Sequence, residues 1–382
     1  MDGVYLDNGA TSFPKAPGVA ESMTNYLTNI GCNINRGAYN SSFMAEDMVY
    51  ETRELLCQLF NFDKPENVVF TKNITEGLNV LMKGLCKKND HIIVSSMEHN
   101  AVMRPINALK HMGVEYTKVK CNDKGELNTA HILNHIKHNT KAVIMTHASN
   151  VCGTILDLEE VGNICRDRNI NFIIDTAQTA GFLDIDYKGL KADAIAFTGH
   201  KGLLGPQGIG GFIINDKLVR EMSSFIEGGT GSLSEHEIQP EYMPDKFEAG
   251  TMNIPGIFGL NAALKYILNK GTNEIRKKEL LLLESFLSRV SDIEEARLIG
   301  KKSLEGRTAL VSIDFPRYDN AEISYKLYKE FGIMTRCGLH CAPSAHMTLN
   351  TFPKGTVRFS FSHFNTLEHI DYAVNSISQC VK

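Results

Sequence analysis

No stretch of this chain holds eighteen consecutive apolar residues, so nothing in it reads as a membrane span. An excess of one charge is also missing. The formal net charge is −4, from 40 Lys+Arg against 44 Asp+Glu, which implies neither nucleic acid nor a membrane surface as a partner. The 9 cysteines are odd in number and scattered, which excludes a disulfide scaffold and predicts reduced thiols. No second CxxC and no HxxxH lies near the one Cys/His cluster, so no metal is expected. Internal repeats and low-complexity segments are absent. Tryptophan is absent as well, and no functional conclusion follows from that. Met1-Asp2-Gly3-Val4-Tyr5-Leu6 runs straight into a strand-like segment, without a basic start or an apolar signal region, which predicts a cytoplasmic protein.

What is present fits a globular enzyme. The 382 residues suffice for a large and a smaller domain, and 43% hydrophobic and 22% charged content is ordinary. Strand patterns at 67–71, 91–95, 142–146, 171–175, 192–198 and 208–214 alternate with helical ones at 45–60, 75–86, 101–112 and 158–168. That alternation predicts an α/β domain with a mostly parallel sheet. Residues 227–252 are rich in Gly, Ser, Glu and Pro and read as an active-site loop and linker. Helical tracts follow at 254–269 and 274–290. Strands at 308–314 and 356–361 and helices at 321–331 and 366–380 then make a smaller α+β domain. The expected division is 15–252 for the large domain and 253–382 for the small one, joined by the segment 1–14.

Two motifs carry the chemistry. In Ala196-Phe197-Thr198-Gly199-His200-Lys201-Gly202, a lysine follows an apolar strand and precedes a Gly/Pro-rich turn. Such a placement delivers one amine to a pocket, where it becomes useful by forming a Schiff base, most often with pyridoxal phosphate (PLP). An isolated Lys-Gly would read as a surface loop. In Asn171-Phe172-Ile173-Ile174-Asp175-Thr176-Ala177-Gln178, the aspartate closes a buried strand, and ligands of parallel sheets bind beyond the carboxyl ends of strands. A buried carboxylate needs a cation, and the pyridinium nitrogen of PLP is one. Alone, Asp175 would read as a helix cap. Gln178, one helical turn on, is placed to bond the ring hydroxyl.

Other candidates surround these. Thr71-Lys72-Asn73-Ile74-Thr75-Glu76-Gly77 leaves a strand and opens a helix, where N–H groups and the Thr75 hydroxyl suit a phosphate. The same residues also fit a plain threonine cap with Glu76 in the first turn. His99 and Asn150 each follow a strand end, one suited to stacking on a ring and shuttling protons, the other to a ring hydroxyl or a substrate carboxylate. His200 neighbours the phosphate or a proton relay. Arg358 lies in an apolar strand and suits a carboxylate, the substrate's or the protein's own. In Thr335-Arg336-Cys337-Gly338-Leu339-His340-Cys341-Ala342-Pro343, the choice is a metal half-site or a nucleophilic thiol whose thiolate is favoured by Arg336 and His340.

Together these motifs resemble the class V aminotransferase family of PLP enzymes, in its cysteine desulfurase and selenocysteine lyase branch. The likeness spans the chain: Tyr5-Leu6-Asp7-Asn8-Gly9-Ala10-Thr11, Asn35-Arg36-Gly37, Thr75-Glu76-Gly77, Glu98-His99-Asn100, Ser149-Asn150, Asp175 to Gln178, Thr198 to Lys201, Phe247-Glu248-Ala249-Gly250-Thr251 and the Cys341 loop. The resemblance implies a fold-type I architecture and a homodimer with its active site at the subunit interface. It implies that Lys201 carries the cofactor, Asp175 meets its pyridine nitrogen, His99 stacks on the ring and Gln178 meets the ring hydroxyl. Thr75, Glu76, Thr198 and His200 would hold the phosphate, with Thr251 reaching over from the partner. Asn150, Arg358, Arg336 and Asn35 would bind substrate. Cys341 would take sulfur from L-cysteine as a persulfide, release L-alanine and pass the sulfur to an acceptor protein. The compact Cys341 loop resembles the group II branch. Cys337 departs from the pattern, where a small or hydroxyl residue is usual, and is expected to be inert. Gly9 stands where alanine is frequent. Selenocysteine lyase activity on L-selenocysteine is the nearest alternative. An aminotransferase or β-eliminating lyase on the same fold is more distant, and a non-enzymatic sulfur-transfer scaffold would need a lost Lys201 or Asp175.

Overall fold

The computed structural model describes residues 3–34 and 37–381. Its centre is a seven-stranded sheet in the order Val68–Thr71, Gly210–Ile214, Ala194–Thr198, Asn171–Asp175, Thr140–Thr146, His91–Ser95, Glu115–Val119. Neighbours run parallel except at Gly210–Ile214, which is antiparallel to both of its partners. Four of the central strands are buried along their whole length (HIIVS, NFIID, AIAFT, GGFII), as expected for strands covered on both faces by helices. The edge strand Glu115–Val119 (EYTKV) was not expected from the sequence: its outer residues are exposed and its apolar signal is weak.

The helix Ile254–Lys270 is apolar nearly all round, and its Ile257, Phe258, Leu260 and Leu264 pack into the core of the large sheet. The second core gathers residues from Thr272–Val290 and everything after, around the four-stranded sheet Arg336–Gly338, Thr356–Ser360, Leu310–Asp314, Arg297–Ile299. The cores therefore divide after Ile254–Lys270, later in the chain than the expected boundary at 252/253.

The opening residues join this second core rather than the first. Val4–Tyr5 pairs in parallel with Ile333–Met334, and Val4 and Leu6 are buried there. From there the chain crosses to the large domain. Ser12 N–H donates to the His200 carbonyl at 2.9 Å, and the Thr11 hydroxyl and Lys15 ammonium reach the same oxygen at 3.0 Å each. The lysine-bearing turn is thus strapped from outside. It is held from inside by a close backbone approach: a Cβ on Gly181, whose φ is +102°, would stand 2.1 Å from the Gly202 carbonyl oxygen. Only glycine is tolerated there.

Candidate active site

The carboxyl ends of the parallel strands, with the helix N-termini that follow them, converge on one cavity of about 280 Å³. Eight residues expected from the sequence line it: Thr75, His99, Asn150, Asp175, Gln178, Thr198, His200 and Lys201. Strand pairing alone aligns several of them. Asp175 pairs with Thr146 on one side and Ala196 on the other, so three strand ends are level at the cavity floor.

Burial sets the protonation states. It lowers the Lys201 amine to about 8, against the opposing pull of Asp175, with Arg358 and Arg336 adding to the fall. Burial raises the Asp175 carboxyl, while the Ala177 N–H (2.9 Å) and Lys201 pull it back. His99 and His200 are both pushed down to about 4, chiefly by burial and then by Lys201. His99 Nδ1 accepts the Ala101 N–H at 3.0 Å as the cap of the helix Asn100–His111, which places the ring proton on Nε2. Beside it, Glu98 is wholly buried and lifted to about 8, first by burial, although the Ser95 hydroxyl (2.5 Å) and the Thr146 N–H (3.0 Å) favour its ionised form.

The residues present fit PLP. Thr198 Oγ1 and His200 Nδ1 are buried without a partner at the cavity wall, two polar atoms in need of a polar ligand. The helix Ile74–Leu85 opens beside them, and its cap is Asn73, whose Oδ1 accepts the Glu76 N–H at 3.0 Å. The threonine-cap reading is corrected accordingly: Thr75 is inside the helix and its hydroxyl is not spent on the cap. Lys201 supplies the amine and Asp175 the buried carboxylate.

Several expected residues lie elsewhere. Glu76 does not line this cavity, because its carboxylate turns back to accept the Lys72 N–H at 2.6 Å. Thr251 is exposed on a separate cleft with Glu248 and Gly250. Asn35 and Arg36 lie outside the described residues. Arg336 is exposed on the strand Arg336–Gly338. Arg358 already has a protein partner: Nη2 donates to Asp7 Oδ1 at 2.8 Å and Nη1 to the Asn150 carbonyl at 3.1 Å, leaving its buried Nε without one. Gln178 donates Nε2 to the Gly9 carbonyl at 3.0 Å. Gly9 itself has a local reason, since a Cβ there would stand 3.3 Å from Arg358 Cζ and 3.2 Å from Leu310 Cδ1.

Cys341 is exposed and borders a second cavity that shares Thr75, His99 and Ala101 with the first. Its loop is tied to the large domain: Asn150 Nδ2 donates to the His340 carbonyl at 2.7 Å, and the Asn100 N–H donates to the Cys341 carbonyl at 2.8 Å. Asn150 therefore spends a donor on positioning the loop. The expected help from His340 is corrected too. That ring is buried, bonded through Nε2 to Thr356 Oγ1 at 3.1 Å, and pushed down to about 2, mainly by burial, so it is neutral and offers Cys341 no charge. Cys337, one residue along the strand from Arg336, packs against the C-terminal core, and burial raises its thiol. Among the described residues no group of three or more His, Cys, Asp or Glu is placed to hold a metal, and no helix is long and apolar enough to cross a membrane.

Sequence reasoning did not reach Asp7 as the partner of Arg358 or Asn100 as the anchor of Cys341. Both stand in motifs quoted above, but their partners lie hundreds of residues away.

Comparison with known proteins places this site. The Aminotransferase class-V model matches residues 4–373. A probable cysteine desulfurase of Methanothermobacter thermautotrophicus is 34% identical over 97% of this chain and 92% of its own length. Another, of Pyrococcus abyssi, is 34% identical over 99% and 94%. The apo structure of a cysteine desulfurase from Thermococcus onnurineus NA1 superposes with a TM-score of 0.92 at 32% identity, covering 99% of this chain and 94% of that one. A family model spanning nearly the whole chain, on a fold whose strand ends gather Lys201, Asp175 and His99, makes this protein a member of the class V aminotransferase family.

Proposed function

We propose that the protein is a PLP-dependent cysteine desulfurase that converts L-cysteine to L-alanine and carries the sulfur on Cys341. One observation supports this most: an exposed thiol, Cys341, borders a cavity that shares His99 with the cavity holding Lys201 and Asp175. Lys201, Asp175, His99, Gln178, Thr75, Thr198 and His200 would hold the cofactor, which when bound supplies an electron sink for charge developing at the substrate α-carbon.

The chain's own residues do the rest. Lys201, with its amine brought down to about 8, can exist as the free base and take the α-proton. Arg358 Nε, the one guanidinium nitrogen without a partner, is a donor for the substrate carboxylate. His99 stays neutral and presents Nε2–H towards the cavity. The thiolate of Cys341 attacks the substrate sulfur, and the bond from that sulfur to the β-carbon breaks. L-cysteine and the Cys341 thiol thereby become L-alanine and a Cys341 persulfide, with atoms conserved. Thr251, exposed and away from its own chain's cavity, fits a role in the site of a second copy, and we read the working unit as a homodimer. Replacing Cys341 by Ser tests the assignment: alanine release from L-cysteine should vanish, and continued release would refute it.

A further inference from the structure

The cavity that Cys341 borders measures about 340 Å³, and two cations line it, Lys83 and Arg104, with no carboxylate. Among the described residues neither cation pairs with an acidic side chain; Lys83 Nζ instead lies 4.8 Å from the centre of the Phe225 ring. In a chain of net charge −4, this is a local reversal of sign. A concave, low-dielectric wall concentrates the field of such a pair.

The backbone under Cys341 restricts how its sulfur can be collected. His340 and Cys341 have φ of +48° and +58°, a left-handed pair that non-glycine residues keep only where their surroundings enforce it. The enforcement is visible: both carbonyls are taken by donors from the large domain, Asn150 Nδ2 and the Asn100 N–H, and Ala342 N–H closes a turn onto the Leu339 carbonyl at 2.8 Å. A thiol so held does not swing out to a remote partner. An acceptor must come to it, and a cavity of this size suits a small molecule.

We propose that the Lys83–Arg104 cavity is the receiving site for a small thiol that carries negative charge, such as a carboxylate- or sulfonate-bearing thiol. This rests on Cys341 being the sulfur carrier. The acceptor thiolate attacks the outer sulfur of the Cys341 persulfide. The S–S bond breaks, Cys341 leaves as a thiolate, and the acceptor departs as a persulfide bearing the proton of that outer sulfur. One sulfur changes hands and no external oxidant or reductant is needed.

The test uses enzyme whose Cys341 has been loaded by L-cysteine, with loading checked by mass spectrometry. Persulfide discharge is then timed with mercaptoethanesulfonate and with mercaptoethanol, each rate taken per thiolate. At low ionic strength the sulfonate should react about tenfold faster, equivalent to about 1.4 kcal/mol. That ratio should shrink as salt is added and fall towards unity in the Lys83→Gln, Arg104→Gln double variant. Equal rates in the wild-type enzyme, or a ratio unmoved in the double variant, would overturn the proposal. So would a loaded persulfide that neither thiol discharges, which would point to a protein acceptor. If L-cysteine loads no sulfur on Cys341, the function proposed above fails and the cavity proposal falls with it. Normal loading with a flat ratio defeats the cavity proposal alone.

Discussion

At Lys201, burial does the first part of the chemistry. An amine in water is a cation at neutral pH, whereas here it is brought down to about 8, so that a usable fraction is free base under physiological conditions. Asp175 opposes that fall without cancelling it. If Lys201 is the base that takes the α-proton, Lys201→Ala should lower the rate of alanine formation by about 10²–10⁴-fold, the usual worth of a positioned proton-transfer group. The variant should still unfold cooperatively, since an alanine removes a buried amine. Steady-state alanine release together with a thermal melt checks both. Glu98 makes a second residue-scale prediction. Its carboxyl is raised to about 8 from an ordinary value near 4.5, so the folded chain holds a proton that the unfolded chain has lost. Stability should fall as pH rises through that window. Glu98→Gln, which keeps the shape, should flatten the slope between pH 5 and 8. Urea midpoints at both pH values read it directly.

Among the elements, the segment around Thr251 depends on one buried ion pair. Arg53 on the helix Asn40–Phe60 and Glu248 meet at 2.7 Å with side chains only 6% and 5% exposed, and Glu248 also accepts the Phe70 N–H at 2.6 Å. Removing one partner leaves an uncompensated buried charge, so Glu248→Ala should cost about 3–5 kcal/mol of stability, read by urea unfolding. It should also loosen the loop that presents Thr251. The strands and the residues at their carboxyl ends were legible in the sequence, because apolar runs ending in Asp175 or Lys201 are local signals. What escaped is long-range. Asp7 and Arg358 are separated by 351 positions, and no periodicity in either segment announces the other. The turn of Glu76 away from the cavity follows from Asn73, not Thr75, taking the cap, a one-turn shift that Asn and Thr signal equally well. The neutrality of His340 is likewise a property of burial beneath the strand Thr356–Ser360, invisible in the loop's own residues.

Taken whole, the molecule buries histidines that it cannot charge. His91, His99, His147, His200, His346 and His363 are each lowered to about 4, and His340 further, with burial the leading cause throughout. Between pH 6.5 and 4 the unfolded chain therefore binds protons that the folded chain refuses. Stability should be full above about 6.5 and drop as pH falls below it, by about 1–2 kcal/mol per such histidine at pH 5. Urea midpoints at pH 7.5 and 5 check this, and a flat profile would contradict it. Function at this scale depends on two domains meeting: Lys201 and Asp175 belong to the large sheet, Arg358 and Cys341 to the C-terminal part, and Asn150 and Asn100 join them. The account therefore turns on sulfur passing between those parts, and a single-turnover reaction of the PLP-loaded enzyme with L-cysteine tests it most directly. Alanine and a Cys341 peptide heavier by one sulfur should appear in equal amounts at equal rates. Alanine formed with Cys341 unmodified, or no alanine at all, would contradict it.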